Sequence, residues 1–167
     1  MVLKEYNPYA AEGERIEYVK QSTLWSCTAA VFQMAWEYVS GKRINHWKAI
    51  RMLNCTAENG ADFHQVVRAL RKHHPNVVAK FLRWNTPRST LIKELKKGRI
   101  ILIGDWWTFR PENHSMLLIG FTPKGFWVAD PGTCLRWMST ATLLHDIDDF
   151  LVIGKRSPSR NTQKSGV

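Results

Sequence analysis

The stretch Cys27-Thr28-Ala29-Ala30-Val31-Phe32-Gln33-Met34-Ala35-Trp36-Glu37-Tyr38 puts apolar residues on most sides of a helical projection and contains neither Gly nor Pro. A surface helix keeps a polar face, so this run predicts a largely buried helix at the centre of the fold. Ser26 is placed to cap its start and Gly41 to stop it. Farther along, Phe63, Val66, Val67 and Leu70 follow an i, i+3, i+4, i+7 pattern behind Asp62, and Leu91, Ile92 and Leu95 repeat the signal between Ser89 and Gly98. Both predict surface helices with basic outer faces. The rhythm then changes: 77–82, 100–104, 115–121, 126–130 and 150–153 are short apolar runs separated by Gly, Pro and Asn signals. These read as strands. Helices first and strands later predict an α+β fold, with helices packed on one face of a mainly antiparallel sheet.

At 167 residues and 44% hydrophobic, the chain fits one domain with a sizeable core. Its longest apolar runs, such as Ile100-Ile101-Leu102-Ile103 and Met116-Leu117-Leu118-Ile119, fall far short of the roughly 20 residues that span a bilayer. Residues 1–20 hold Glu5, Glu12, Glu14 and Glu17 and lack an apolar signal-peptide core, so they read as an N-terminal extension. Residues 155–167 contain one apolar residue and four basic ones and read as a basic, disordered tail, leaving 21–154 as the folded domain. Lys and Arg number 24 against 14 Asp and Glu, and between His64 and Arg110 eleven of them face only Glu94 and Asp105. This middle third reads as a docking surface for an acidic partner. Three cysteines cannot all pair, and the length needs no disulfide staples, so reduced thiols in a cytosolic setting are expected. No Cys-x2-Cys or His-x3-His spacing is present, so no metal site is expected.

Cys27 stands where the central helix begins, and the N–H groups and macrodipole there favour an anion, hence a thiolate. A base is supplied by His114, which sits between a Pro-containing loop and a strong strand. A hairpin joined near residues 122–125 would set Asp130, at the end of the next strand, beside His114 to orient its ring. Gln21, six residues before Cys27, has an amide that can donate to an oxyanion together with the Cys27 backbone N–H. Trp25 beside the nucleophile and Trp106 and Trp107 before His114 are candidates to line the cleft. Cys55 and Cys134 read as core or surface residues, His46, His64 and His145 carry no partner signal, and His73 and His74, beside Arg71 and Lys72, read as a solvated helix end rather than a ligand pair. Asp146, Asp148 and Asp149 read as a solvated acidic cluster.

Gln21-x5-Cys27 leading into an Ala-rich helix with Met34, then Asn113-His114-Ser115-Met116-Leu117-Leu118-Ile119-Gly120-Phe121, then Gly125-Phe126-Trp127-Val128-Ala129-Asp130-Pro131-Gly132, resembles the papain-like cysteine peptidases. Among them it is similar to the bacteriocin-leader (double-glycine) processing peptidases and to cysteine-protease effectors that bacteria inject into other cells. The resemblance spans roughly residues 21–144. It implies a papain-like fold whose central helix starts at a nucleophile, Cys27, with His114 as general base and acid, Asp130 as its orienting acid, Gln21 as the oxyanion amide, and no cofactor. Ser26 and Thr28 stand where leader peptidases usually have Asp and Gly, and no transporter is present in these residues. The expected function is therefore a cysteine endopeptidase acting through a thioester acyl-enzyme on an intracellular protein, with Gly-Gly as the guessed cleavage motif. The expected setting is that of an effector or toxin, acting in the cytoplasm after delivery by a specialised secretion system. Leader-peptide processing or peptidoglycan amidase activity with the same triad are alternatives, and a basic nucleic-acid-binding module is a non-enzymatic one. A monomer, a protein substrate with an acidic surface and a cognate immunity protein fit this reading; membrane attachment does not.

Overall fold

The buried stretch forms α1 (Cys27–Ser40), which ends at Gly41, and Ala29, Ala30, Val31, Phe32, Met34 and Ala35 are all fully shielded. The computed structural model describes residues 1–11, 14–105 and 114–155. Helices α2 (His46–Leu53) and α3 (Phe63–His73) pack beside α1. The Asn45 side chain caps α2 by accepting from the Lys48 N–H. A reciprocal pair starts α3: Asp62 accepts from the Gln65 N–H at 2.8 Å and the Gln65 side chain accepts from the Asp62 N–H at 2.7 Å. Two further helices, α4 (Arg88–Lys96) and α5 (Thr140–Asp146), come between strands. No helix among the described residues is long and apolar enough to cross a membrane.

Six strands, β1 (Val78–Leu82), β2 (Ile100–Asp105), β3 (His114–Phe121), β4 (Gly125–Ala129), β5 (Leu135–Ser139) and β6 (Asp149–Gly154), form one sheet in the order β1-β6-β2-β3-β4-β5, with every pairing antiparallel. The architecture is the expected α+β. Its layering differs from a single covered face. Ile100, Leu102, Leu117, Ile119, Leu151 and Ile153 pack with α1–α3, whereas Ile101, Ile103, Met116, Leu118, Phe150 and Val152 pack with Leu91, Leu95 and Leu143 of α4 and α5. Consecutive apolar residues in β2, β3 and β6 point to alternate faces, so both faces must be covered.

Residues before Gln21 join this core. Leu3 and Ile16 are buried in the α1 cluster, the Leu3 N–H donates to the Ile16 carbonyl at 2.7 Å, and Val2 bridges Glu17. The turn formed by Leu3–Tyr6 lies so close on β3 that a Cβ at Gly120 would stand 1.8 Å from the Tyr6 carbonyl oxygen, a position only glycine can fill.

Candidate active site

The register of β3 and β4 decides where Asp130 points. Phe121 pairs with Phe126 and Gly120 with Trp127, but a bulge then shifts the ladder so that Leu118 pairs with Val128 and Leu117 with Ala129. Continued one step, Met116 lies opposite Asp130. Because side chains alternate, Asp130 shares a face with Met116 and hence with His114; an unbroken hairpin would set it opposite Leu117, on the other face. The pairing of Val128 with Arg136 adds that residue to the same face. Ser115, on the opposite face, meets the start of α1, where its hydroxyl lies 2.7 Å from that of Thr28.

This geometry assembles a chain of polar groups at one end of the sheet. Cys27, the first residue of α1, is buried and hydrogen-bonded to the His114 ring. His114, the first residue of β3, places Nε2 at 2.6 Å from Asp130 Oδ1, which leaves Nδ1 for the sulfur. Asp130 Oδ1 also accepts from the Gly132 N–H at 2.9 Å, and Oδ2 accepts from Arg136 Nε at 3.0 Å. The Tyr18 hydroxyl donates to the Asp130 carbonyl at 2.7 Å and fixes the same turn. A Cβ at Gly132 would lie 3.3 Å from both Asp130 Oδ1 and His114 Cε1 and 3.5 Å from Gln21 Oε1, so glycine keeps this junction open.

The electrostatics follow from these contacts. Burial raises the Cys27 thiol, yet hydrogen bonds from the His114 ring and the Ser115 N–H, the charge of His114 and the Thr28 side chain together hold it below its ordinary 9.0. Burial opposes a charged His114, but its hydrogen bonds to Asp130 and then Cys27, with their charges, lift it to about 9. Burial also opposes an ionised Asp130, and the hydrogen bond and charge of His114, the Gly132 N–H and Arg136 bring it down to about 2. These contacts act on the three groups as one coupled set, each favouring the thiolate, the imidazolium and the carboxylate over their neutral forms.

Gln21 borders the site. Its backbone N–H donates to the Pro131 carbonyl at 2.9 Å, its amide nitrogen donates to the Thr23 carbonyl at 2.8 Å and more weakly to that of Leu24 at 3.4 Å, and its buried Oε1 has no hydrogen-bond partner among the described residues. Ser26 starts α1 without capping it; its hydroxyl instead accepts from the Thr23 N–H at 3.1 Å and meets His46 Nε2 at 3.1 Å. A cleft of about 490 Å³ opens over Cys27 and His114, lined by Leu24, Trp25 and residues 57–63. Trp25 is thus in the cleft as expected, while Trp106 and Trp107 lie outside the described residues.

Several sequence readings need correction. His46 has partners, Gln33 on Nδ1 and Ser26 on Nε2. His73 is exposed as expected of a solvated helix end, His74 is half-buried, and both meet the Trp36 ring edge-on. Asp146, Asp148 and Asp149 are half-buried. The reading of Cys55 and Cys134 as core or surface residues needs no correction: Cys55 is buried, its thiol pushed up to about 11 by desolvation and the neighbouring Cys27, and Cys134 is exposed. Arg136 was not foreseen at all: it lies six residues past Asp130 across a turn and becomes visible only once β5 is paired with β4.

The fold has solved counterparts. It is similar to a double-glycine motif protease from an AMS/PCAT transporter, solved with its leader peptide, at TM-score 0.66 and 18% identity, covering 88% of this chain and 97% of that one. The peptidase domain of Streptococcus ComA, a bifunctional ABC transporter of a quorum-sensing pathway, aligns at TM-score 0.69 and 12% identity over 84% and 99% of the two chains. A putative C39-like peptidase from Bacillus anthracis aligns at TM-score 0.67 and 15% identity over 86% and 96%. At these identities the likeness is one of fold. No curated protein matches the chain. The sequence model of the papain-like cysteine protease AvrRpt2 matches residues 11–142, most of the chain and every residue of the site described above, and the protein belongs to that family of papain-like cysteine peptidases.

Proposed function

We propose that Cys27, His114 and Asp130 are the catalytic triad and that the enzyme is an endopeptidase cleaving a protein substrate inside a cell, as an effector or toxin. The observation that carries this reading is the continuous set Cys27–His114–Asp130 at the edge of an open cleft. The Cys27 thiolate attacks the scissile carbonyl carbon, and the tetrahedral oxyanion is held by the Cys27 N–H and the Gln21 amide, whose second proton has only the long contact to Leu24 to give up. His114 passes its proton to the leaving amine as the C–N bond breaks, leaving a thioester on Cys27. His114 then takes a proton from water, whose oxygen attacks the thioester and releases the thiolate. The cleft beside Leu24 suits an extended peptide, and the leader-bound neighbour with a double-glycine specificity supports Gly-Gly as the first motif to test.

Wild type and Cys27→Ala are incubated with a bacterial lysate and the new protein N-termini are mapped. New termini made only by the wild type, clustering after a common motif, are the expected result. Cleavage that persists in Cys27→Ala overturns the triad, and cleavage of purified peptidoglycan without new protein termini reassigns the substrate to cell-wall peptides.

A further inference from the structure

We propose that the Thr28 and Ser115 hydroxyls form a donor relay onto the Cys27 sulfur, holding the thiolate by a route separate from the His114 imidazolium. The inference rests on Cys27 being the nucleophile. Each hydroxyl residue directly follows one partner of the Cys27–His114 pair, and their oxygens lie 2.7 Å apart between α1 and β3. Both residues are buried, at 3% and 7% exposure, so water is a poor partner for either proton. Thr28 also hydrogen-bonds Cys27, as does the Ser115 backbone N–H. Two hydroxyls in contact share one proton and leave the other to be placed. If Ser115 donates to Thr28 Oγ1, the Thr28 proton is directed to the sulfur. The reverse order turns it away. A thiolate only accepts hydrogen bonds, so the first order grows stronger as Cys27 ionises, and charge-assisted bonds are the strong ones. Thr28, touching the reacting sulfur, is then a catalytic residue. The Ser115 hydroxyl acts through Thr28 and is a positioning group.

A tie that merely joins helix to strand would act on packing; a donor relay acts on the ionisation of one sulfur. The test is the rate of Cys27 alkylation by iodoacetamide from pH 5 to 10. The thiolate forms the S–C bond and expels iodide, and peptide mass spectrometry separates Cys27 from Cys55 and Cys134. In Thr28→Val the rising limb should move up by about one pH unit, which cuts the thiolate fraction on the acid side roughly tenfold and, with the reactivity gain of a more basic thiolate, slows alkylation there about three- to fourfold. Above the limb the more basic thiolate should react up to about threefold faster, following a Brønsted slope of roughly 0.4–0.5. Thr28→Ser should restore the wild-type profile, and Ser115→Ala should move the limb in the same direction by less. Slower alkylation by one factor at every pH, or a Thr28→Val limb that coincides with the wild type, overturns the relay. If Thr28→Val melts below assay temperature, Ser115→Ala decides alone, and an unmoved limb there overturns the relay equally. Peptide cleavage by Cys27→Ala would instead remove the nucleophile assignment, whatever the Thr28 variants do.

Discussion

Replacing Asp130 by Asn keeps its shape and removes its charge, and the consequences can be followed atom by atom. Oδ1 serves His114 Nε2 at 2.6 Å and the Gly132 N–H at 2.9 Å, and Oδ2 serves Arg136 at 3.0 Å. An asparagine offers one acceptor oxygen to these three donors, and its NH2 must then face either an imidazole N–H or a guanidinium. His114 stands at about 9 against an ordinary 6.5, with burial opposing the charged ring, the Asp130 hydrogen bond the first cause raising it and the Cys27 contact the second. That span corresponds to about 3.4 kcal/mol at 1.36 kcal/mol per pH unit, and half or more of it assigned to Asp130 gives about 2 kcal/mol. The cleavage rate kcat/KM rises as Cys27 ionises and falls as His114 loses its proton. In Asp130→Asn the falling limb should retreat from near pH 9 to about pH 7–8. The rising limb should move up, because Cys27 loses part of the imidazolium that holds its charge. The active window therefore narrows from both sides, and at pH 8 the retreat of the falling limb alone should lower activity about twofold to tenfold, with the rising limb adding to the loss. The assay is the initial rate on a fluorogenic peptide bearing the mapped cleavage site, from pH 5 to 10, with Cys27→Ala as the blank and a thermal melt to show that the variant is folded. A falling limb that stays near pH 9 would refute the reasoning.

Arg136→Gln should lower kcat/KM several-fold, but in the Asp130→Asn background it should add almost nothing; a double-mutant cycle that comes out additive sinks the view that Arg136 acts through Asp130. Gly132→Ala places a methyl 3.3 Å from both Asp130 Oδ1 and His114 Cε1, so activity should fall while the melting temperature barely moves, a split that parallel rate and melting measurements would detect. Glu94 is 2% exposed and bonds Lys80 at 2.8 Å, Lys97 at 3.3 Å and Arg99 at 2.5 Å, so Glu94→Gln leaves three cations without their anion. It should cost about 2–3 kcal/mol in urea denaturation, less than a fully buried pair because the cations keep some solvent. Burial opposes the Glu94 charge, yet these cations hold its carboxyl down at about 2 against 4.5, so the wild-type advantage should be complete above pH 4.5 and vanish as the pH falls to 2.

What could be read from the sequence is what local pattern controls. The α1 run, the Asp62 cap and the apolar strand runs each announce themselves within a few residues, and all appear in the structure close to where they were expected. Helix α2, strand β5 and helix α5 were not foreseen, because each spans eight residues or fewer with polar residues interleaved, as in Leu135-Arg136-Trp137-Met138-Ser139. The second helical layer was hidden for a different reason. Periodicity tells which side of α4 is apolar but not which face of the sheet receives it.

The site shows the same division more sharply. Cys27 and His114 are marked by their positions at element starts, but the pairing of His114 with Asp130 depends on a bulge that no residue signal announces. The 122–125 hairpin brings Asp130 to His114 only through this bulge; an unbroken register would turn Asp130 to the other face. The charge was misleading in a comparable way. Of the eleven basic residues between His64 and Arg110, Lys80, Lys97 and Arg99 neutralise Glu94, Arg71 donates to the Ala79 carbonyl, and Arg88 donates to the Thr122 carbonyl and Thr140. Nearly half of those basic residues thus have partners within the chain, although Arg71, Lys80 and Lys97 stay exposed. The cleft, by contrast, carries Glu58 and Asp62 and no Lys or Arg among its described lining. If the proposed function holds, an attraction drawn from net charge alone does not carry into this cleft, and discrimination among peptides is expected from its walls rather than from the basic faces of the helices.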